Sequence, residues 1–134
     1  MEDIMNIPRI DKIKIEDFGI IKRANIEFKD GLNIITGPNA SGKTTVVNFL
    51  REKYNPTNLP NVEKMMLHID RVLGLNGTIL MDDALSRLNQ ENLIKTLNTL
   101  SNSGKRVILT LNDHADISKI DANIIKTKDF ELKR

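Results

Sequence analysis

The sequence predicts a single α/β domain in which a mostly parallel β-sheet is flanked by helices. Two observations support this fold class. Short apolar segments typical of buried strands alternate with longer segments of helical periodicity. A glycine-rich turn also lies between one such strand and one such helix. The 134 residues suffice for one domain with a modest core and are too few for two, so residues 1–134 are predicted to form one domain.

Two predicted strands precede the glycine-rich turn. Residues 13–18 alternate apolar and polar side chains, and residues 20–28 do so less regularly. A turn is predicted at Asp30-Gly31. Because both strands come before the strand–helix alternation begins, we expect them to form an antiparallel addition at one side of the parallel sheet.

The central elements, before the last predicted strand, follow in the order strand, helix, helix, strand, helix, strand, which favours a parallel sheet. Residues 54–61 are predicted to be a loop because Pro56 and Pro60 interrupt regular structure. Residues 117–120 are predicted to form a short helical turn, and residues 130–132 to extend the sheet. The predicted strands are 32–36, 78–81, 106–111 and 123–127, and the predicted helices are 43–53, 62–73 and 89–100.

Composition excludes several functional classes. Hydrophobic residues make up 40% and charged residues 28%, as in a soluble globular protein, and the net charge of +2 does not argue for nucleic acid. The chain has no cysteine, which excludes disulfides, thiolate metal sites and a cysteine nucleophile. No apolar run is long enough to span a membrane, and the acidic start of the chain lacks a secretory segment, so a cytoplasmic protein is expected.

The glycine-rich turn fits the phosphate-binding pattern G-x-x-x-x-G-K-[ST], which runs here from Gly37 to Thr44. Gly37 and Gly42 let the backbone curl so that N–H groups point inward at phosphate oxygens. The following helix adds its free N–H groups and its positive dipole end, and Lys43 would reach the β- and γ-phosphates. A chance glycine turn is the alternative, which the flanking strand and helix disfavour. The motif predicts a P-loop NTPase fold that binds ATP with Mg²⁺.

The predicted nucleotide ligands belong to this loop and to the first turn of the helix. The hydroxyl of Thr44 is predicted to bind Mg²⁺, and Thr45 to reach the α-phosphate region. The full set is Pro38, Asn39, Ala40, Ser41, Gly42, Lys43, Thr44 and Thr45.

A second motif supports the first. Residues 78–82 form an apolar strand that ends in Asp82, as a Walker B strand does. Asp82 would lie beside Thr44 and hold Mg²⁺ through water, because Mg²⁺ keeps several of its waters. Asp83 would face the γ-phosphate and orient or deprotonate the attacking water. The alternative is that the two aspartates cap the next segment.

Around these motifs the sequence resembles ABC-type ATPases, closest to the SMC, RecF and related DNA-repair ATPases and to standalone ABC-like ATPases. The resemblance lies in residues 13–22 and 28–39, in Asp82-Asp83-Ala84-Leu85-Ser86-Arg87-Leu88-Asn89, and in residues 106–114. It implies a D-loop at residues 86–89 and a switch residue that senses the γ-phosphate. In the family this switch residue is a histidine. Alignment of the strand places Asn112 at that position, whereas His114 is the candidate with the matching side chain. Lys43, Asp83 and His114 are then the candidate catalytic residues.

The resemblance also implies an aromatic residue stacked on the adenine. Phe18 is a candidate for this role, although a core phenylalanine is the stronger interpretation, and Lys22 is a weaker second choice.

The sequence departs from the family in its middle. Only residues 44–81 separate Lys43 from Asp82, so the helical signature lobe is much reduced, and this stretch contains no glutamine for a Q-loop. The nearest match to the signature is residues 59–64, where Pro60 replaces a serine and Val62 a glycine. Asp83 stands where the family usually has Glu. These changes predict slow hydrolysis.

Three functions remain open at this point. The first is a minimal ABC-type ATPase that forms a homodimer in the presence of ATP. The second is a nucleotide-binding regulatory or structural module with little hydrolysis, acting with a larger protein partner. The third is a small-molecule kinase, which is disfavoured because the middle segment offers only Arg51 and Arg71 for a lid. DNA is a possible partner by family resemblance alone.

Overall fold

The structure is a computed structural model that describes residues 4–54, 57–58, 77–83, 85 and 88–133. Within these residues the strands are β1 Ile4–Ile7, β2 Lys12–Phe18, β3 Ile21–Glu27, β4 Leu32–Gly37, β5 Thr57–Asn58, β6 Thr78–Met81, β7 Val107–Asn112, β8 Asn123–Lys126 and β9 Glu131–Leu132. The helices are α1 Lys43–Tyr54 and α2 Gln90–Asn102, and a 3₁₀ turn covers Thr127–Asp129. The predicted helix 62–73 and the signature match 59–64 lie outside the described residues.

The strands form two sheets. The larger has the order β5-β1-β6-β7-β4-β8, and the smaller has the order β2-β3-β9. Strands β6, β7, β4 and β8 pair in parallel, whereas β1 pairs antiparallel with both β5 and β6. The small sheet is antiparallel. The predicted α/β fold, with a mostly parallel sheet and an N-terminal antiparallel addition, is confirmed.

Two local predictions were incomplete. Strand β1 was not predicted, although Met5 and Ile7 are buried in alternation as in a half-buried strand. Residues 57–58, predicted as part of a loop, instead pair with Met5 and Asn6 of β1 at the edge of the sheet. An edge strand only two residues long can lie close to proline, because its outer side needs no ladder hydrogen bonds.

The parallel sheet separates two apolar clusters. On one face, α2 packs through Leu93, Leu97 and Leu100 against alternate residues of β4, β6 and β7. On the other face, α1 packs through Val46, Val47 and Leu50 and shares its cluster with the small sheet. Since side chains alternate along a strand, the continuous burial of β7 supplies both clusters. Neither helix in the described part of the chain is long and apolar enough to cross a membrane.

Arg106, just before β7, joins the large sheet to the loops that flank the small one. Its side chain is only 5% exposed and lies 2.9 Å from Asp11 and 3.0 Å from Asp30. The guanidinium also donates to the backbone carbonyls of Ile10 and Phe28. Hydrogen bonding from Arg106, followed by the charge of Arg9, holds the pKa of Asp30 below its ordinary value.

Candidate nucleotide-binding site

The glycine loop runs from the end of β4 to the start of α1, at the carboxyl edge of the parallel strands. A Cβ atom on Gly37 would lie 1.9 Å from Thr127 Oγ1 and 2.7 Å from Ser41 Oγ, so only glycine fits this position. Gly42 has φ +112°, a conformation that side chains rarely adopt, and Ala40 has φ +60°. The loop is thus tightly curled, as phosphate binding by backbone N–H groups requires.

Side chains of the loop stabilise this conformation from within. The Ser41 hydroxyl donates to the Pro38 carbonyl at 2.6 Å. The ammonium group of Lys43 donates to the Gly37 carbonyl, which holds it over the loop. The Val46 N–H donates to the Gly42 carbonyl at 3.0 Å and so forms the first turn of α1. The loop therefore leads directly into a helix N-terminus, a favourable location for an anion.

Asp82 and Asp83 directly follow β6 and lie beside this loop. Thr110 of β7 donates its hydroxyl proton to Asp82 Oδ1 at 3.1 Å and accepts a hydrogen bond from the Asp83 N–H at 2.8 Å. Arg51 of α1 lies on the other side of the first carboxylate, with 3.9 Å between its Nη2 and Asp82 Oδ2. Asp82 is half-buried, whereas Asp83 is exposed.

A cavity of about 460 Å³ lies between the loop and the two aspartates. Its surface is mainly polar, and it contains six of the eight predicted nucleotide ligands. The lining residues are Ile20, Asn39, Ala40, Gly42, Lys43, Thr44, Thr45, Asp82, Asp83, Thr110, Leu111 and Asn112. Pro38 and Ser41 do not line it. The structure therefore brings the candidate lysine, threonines and aspartates together around one space.

A larger cavity, of about 740 Å³, lies beside the beginning of the same loop. Gly37 and Pro38 line it together with Ile117, Ile120 and Ile124. Its surface is mostly apolar, and neither Lys43 nor Asp82 is part of it. The smaller cavity has the chemistry that a triphosphate needs, so size is a poor guide to the functional site here.

Thr44 and Asp82, the two residues predicted to hold Mg²⁺, line one cavity with Lys43. Among the described residues no group of three or more His, Cys, Asp or Glu side chains is placed to hold a metal ion. A protein site for Mg²⁺ commonly supplies one or two oxygen ligands, and substrate phosphates and waters supply the others. Thr44 and Asp82 are a suitable pair of that kind.

The turn between β2 and β3 forms the outer wall of the cavity. Ile20, which is 41% exposed, lines the cavity, and a Cβ on Gly19 would lie 2.7 Å from Thr45 Cγ2. Lys133 holds this turn in place, because its N–H donates to the Ile20 carbonyl and its Nζ lies 2.8 Å from Asp17. The hydrogen bond from Lys133 also lowers the pKa of Asp17.

Neither candidate for adenine stacking lines the cavity. Phe18 packs edge-on against Phe49, with 5.4 Å between the ring centroids, in the cluster beneath α1. Lys22 pairs with Glu131 at 3.4 Å. Ile20 is one of the cavity-lining residues that sequence reasoning missed, because a lone isoleucine in a turn carries no recognisable motif.

Of the two switch candidates, Asn112 lines the cavity. His114 is exposed two residues further on, and its N–H donates to Asn112 Oδ1 at 3.0 Å. In the predicted D-loop, residues 86 and 87 lie outside the described part of the chain. Asn89 caps α2, since its side chain accepts a hydrogen bond from the Asn92 N–H at 2.8 Å.

A mixed, mostly parallel sheet with a glycine loop and paired aspartates at its carboxyl edge defines the P-loop class of nucleotide-binding domains. Comparison with known proteins agrees. A family model described as an AAA domain matches residues 12–51. Those residues contain β2, β3, β4, the glycine loop and most of α1.

Two further similarities, one in sequence and one in fold, agree with this class. The chain is 32% identical over 62 residues to the DNA double-strand break repair Rad50 ATPase of Methanopyrus kandleri, covering 46% of this chain and 7% of that protein. The structure of this chain resembles that of an ABC transporter ATP-binding protein from Pyrococcus furiosus, with a TM-score of 0.56. The two chains are 12% identical, and the comparison covers 96% of this chain and 99% of the other. Together these findings support an ABC-type, SMC-like P-loop ATPase domain, as the sequence predicted.

Proposed function

We propose that this domain binds Mg·ATP and hydrolyses it slowly, and that ATP binding closes two copies into a dimer. The observation that carries the proposal is the polar cavity in which Lys43, Thr44 and Asp82 meet. The loop N–H groups and Lys43 would bind the phosphates, Thr44 and Asp82 would hold Mg²⁺, and Asp83 would orient the attacking water. A cytoplasmic setting, expected from composition, is part of this proposal.

The altered middle segment supports slow rather than fast turnover. Pro60, in the nearest match to the signature, has neither a hydroxyl nor an N–H to offer the γ-phosphate held by a partner subunit. Asp83 is one methylene shorter than the usual Glu. A displacement of about 1 Å at a catalytic group can cost on the order of 100-fold in rate.

Nucleotide binding is tested with a fluorescent ATP analogue in the presence of Mg²⁺. Lys43→Ala should weaken binding by roughly 10- to 100-fold, because a hydrogen bond to a charged group contributes about 1.5–3 kcal/mol. Lys95→Ala is the matched control, since Lys95 lies on the surface of α2 in an exposed pair with Glu91. Equal affinities of Lys43→Ala and the unsubstituted protein would contradict the proposed site.

Dimerisation is tested by size-exclusion chromatography with light scattering, with and without Mg·ATP. An Asp83→Asn variant should slow hydrolysis and accumulate the dimer. If the protein stays monomeric with every nucleotide, the proposal of an ATP-dependent dimer is wrong.

Hydrolysis is tested by release of free phosphate, which should depend on both Lys43 and Asp82. The missing Q-loop glutamine favours a second candidate, a regulatory or structural module that binds ATP without turnover. Nucleotide binding with no phosphate release above the Lys43→Ala background would favour that candidate. Transfer of phosphate to a second substrate would instead indicate a kinase.

The printed name of the Methanopyrus relative concerns DNA double-strand break repair, and this chain spans only 7% of that protein. DNA binding is therefore a separate proposal. It predicts that Mg·ATP increases the fluorescence anisotropy of a labelled duplex mixed with the domain, at moderate salt.

A further inference from the structure

Thr110 occupies a central place in the site, although no motif assigns it a role. It lies on β7, between β6 and β4, and is 3% exposed. The register pairs Met81 with Leu109, so Asp82 emerges from β6 level with Thr110. Thr110 also pairs with Ile35 of β4, two residues before the glycine loop begins.

The Thr110 hydroxyl contacts both aspartates at once. Its proton is donated to Asp82 Oδ1 at 3.1 Å, and a lone pair accepts the Asp83 N–H at 2.8 Å. A hydroxyl carries one proton and can accept at the same time, so one Thr110 conformation satisfies both bonds. The carboxylate predicted to hold Mg²⁺ is thereby linked through two hydrogen bonds to the backbone that carries the second carboxylate.

The backbone of Asp83 gives this link its importance. Asp83 has φ +56°, in the left-handed region that residues other than glycine enter only at an energetic cost. Such a conformation persists only where surrounding contacts define it. The hydrogen bond from Asp83 N–H to Thr110 is a contact of that kind, and it comes from a buried side chain on a central strand.

We propose that Thr110 is a positioning residue that sets Asp82 and Asp83 relative to each other and so controls how Mg²⁺ joins the bound nucleotide. The inference rests on the proposed function, because it assigns Asp82 to the metal. In this role Thr110 acts through the two aspartates rather than on the nucleotide itself. It orients Asp82 through one hydrogen bond and fixes the turn at Asp83 through the other.

Three variants separate this role from a general packing role. Thr110→Val keeps the shape of the side chain and removes the hydroxyl, whereas Thr110→Ser keeps the hydroxyl. Thr78→Val is the matched control, because Thr78 is a fully buried threonine on β6 whose hydroxyl has no hydrogen-bond partner among the described residues. All three are measured as the full 134-residue chain.

The first readout is the Mg²⁺ dependence of binding, with a non-hydrolysable ATP analogue. Mg²⁺ should increase the affinity for the analogue, and Thr110→Val should need roughly 10-fold more Mg²⁺ to reach half of that increase. This is the lower end of the effect expected when a metal ligand loses its hydrogen-bond partner. Its affinity without Mg²⁺ should not change. Thr110→Ser and Thr78→Val should both behave like the unsubstituted protein.

The second readout needs no nucleotide. The Asp83 amide should be protected from hydrogen exchange in the unsubstituted protein and in Thr110→Ser, and should lose protection in Thr110→Val. Normal Mg²⁺ dependence or retained Asp83 protection in Thr110→Val would overturn the inference. An equal loss of affinity with and without Mg²⁺ would also overturn it, by showing a packing role. Failure of the proposed function is distinct, because the unsubstituted protein would then not bind Mg·ATP.

Discussion

Removing the buried guanidinium of Arg106 should destabilise the domain more than removing any surface charge. In Arg106→Met the carbonyls of Ile10 and Phe28 lose their donor inside the structure. A buried polar group left without a partner costs about 1–3 kcal/mol. Asp11 and Asp30 are exposed and can be hydrated again, so the main cost comes from the carbonyls.

The two carbonyls together suggest a loss of about 2–6 kcal/mol in the free energy of unfolding. An opposing term reduces this value, because Arg106 Nε is buried and has no hydrogen-bond partner among the described residues. Its removal relieves one cost of the same size, so the expected net loss is that of about one carbonyl, roughly 1–3 kcal/mol. For a chain of this size the melting temperature should then fall by on the order of 10 °C.

Urea denaturation followed by circular dichroism measures this change. Arg9→Met is the control, because Arg9 contacts Asp30 at 2.8 Å but is itself 61% exposed, so little change is expected. A similar loss in both variants, or a loss below about 1 kcal/mol in Arg106→Met, would refute the reasoning about buried carbonyls.

The same variant has a predicted pH signature. Arg106, ahead of Arg9, lowers the pKa of Asp30 in the folded state. A carboxyl group with a lowered folded-state pKa stabilises the fold at neutral pH, and this contribution disappears as the pH falls through that pKa. In Arg106→Met the pKa of Asp30, followed by NMR, should rise towards its ordinary value. The acid-induced loss of stability should become correspondingly smaller.

Three further predictions concern the nucleotide site, and the ATP-analogue binding assay and phosphate release test them. Gly37→Ala should weaken Mg·ATP binding severely, because its Cβ would lie 1.9 Å from Thr127 Oγ1; unchanged affinity would contradict the tight loop. Ile20→Ala should weaken ATP and GTP binding by a similar few-fold factor, since an alkyl contact does not distinguish base edges. A selective loss of binding to one nucleotide would contradict this role of Ile20. Asn112→Ala should reduce phosphate release more than His114→Ala, and the reverse order would favour the histidine as switch residue.

The sequence predicted the core of the domain well because those elements have strong local signals. Strand β6 was predicted with its observed limits, and the segment from β4 through the glycine loop to α1 was correct to within one residue. Continuous apolar runs indicate buried parallel strands, and the loop pattern requires a strand before it and a helix after it. For elements of this kind, local sequence is sufficient to predict the type and limits of the element.

Features that depend on distant partners were not predictable in this way. The pairing of β1 with β5 and β6 joins segments far apart in the sequence. Asn33 is polar yet fully buried in β4, where it bonds to Lys29, Gly31 and Val107. Thr110 likewise looks like one residue of a buried strand, and its partners on β6 become evident only from the register.

Strand order explains how a chain with so short a middle segment can still bring the proposed phosphate-binding residues together. Strands β6, β7 and β4 are adjacent and parallel, so Asp82, Asn112 and the glycine loop all emerge at the same edge. Their relative positions are set by backbone pairing and by Thr110, through contacts among residues 32–45, 78–83 and 107–112. The family resemblance assigns the middle segment to the contact with a partner subunit. Under the proposed function, changes there would alter dimerisation and turnover while the proposed Mg·ATP site within one chain stays the same.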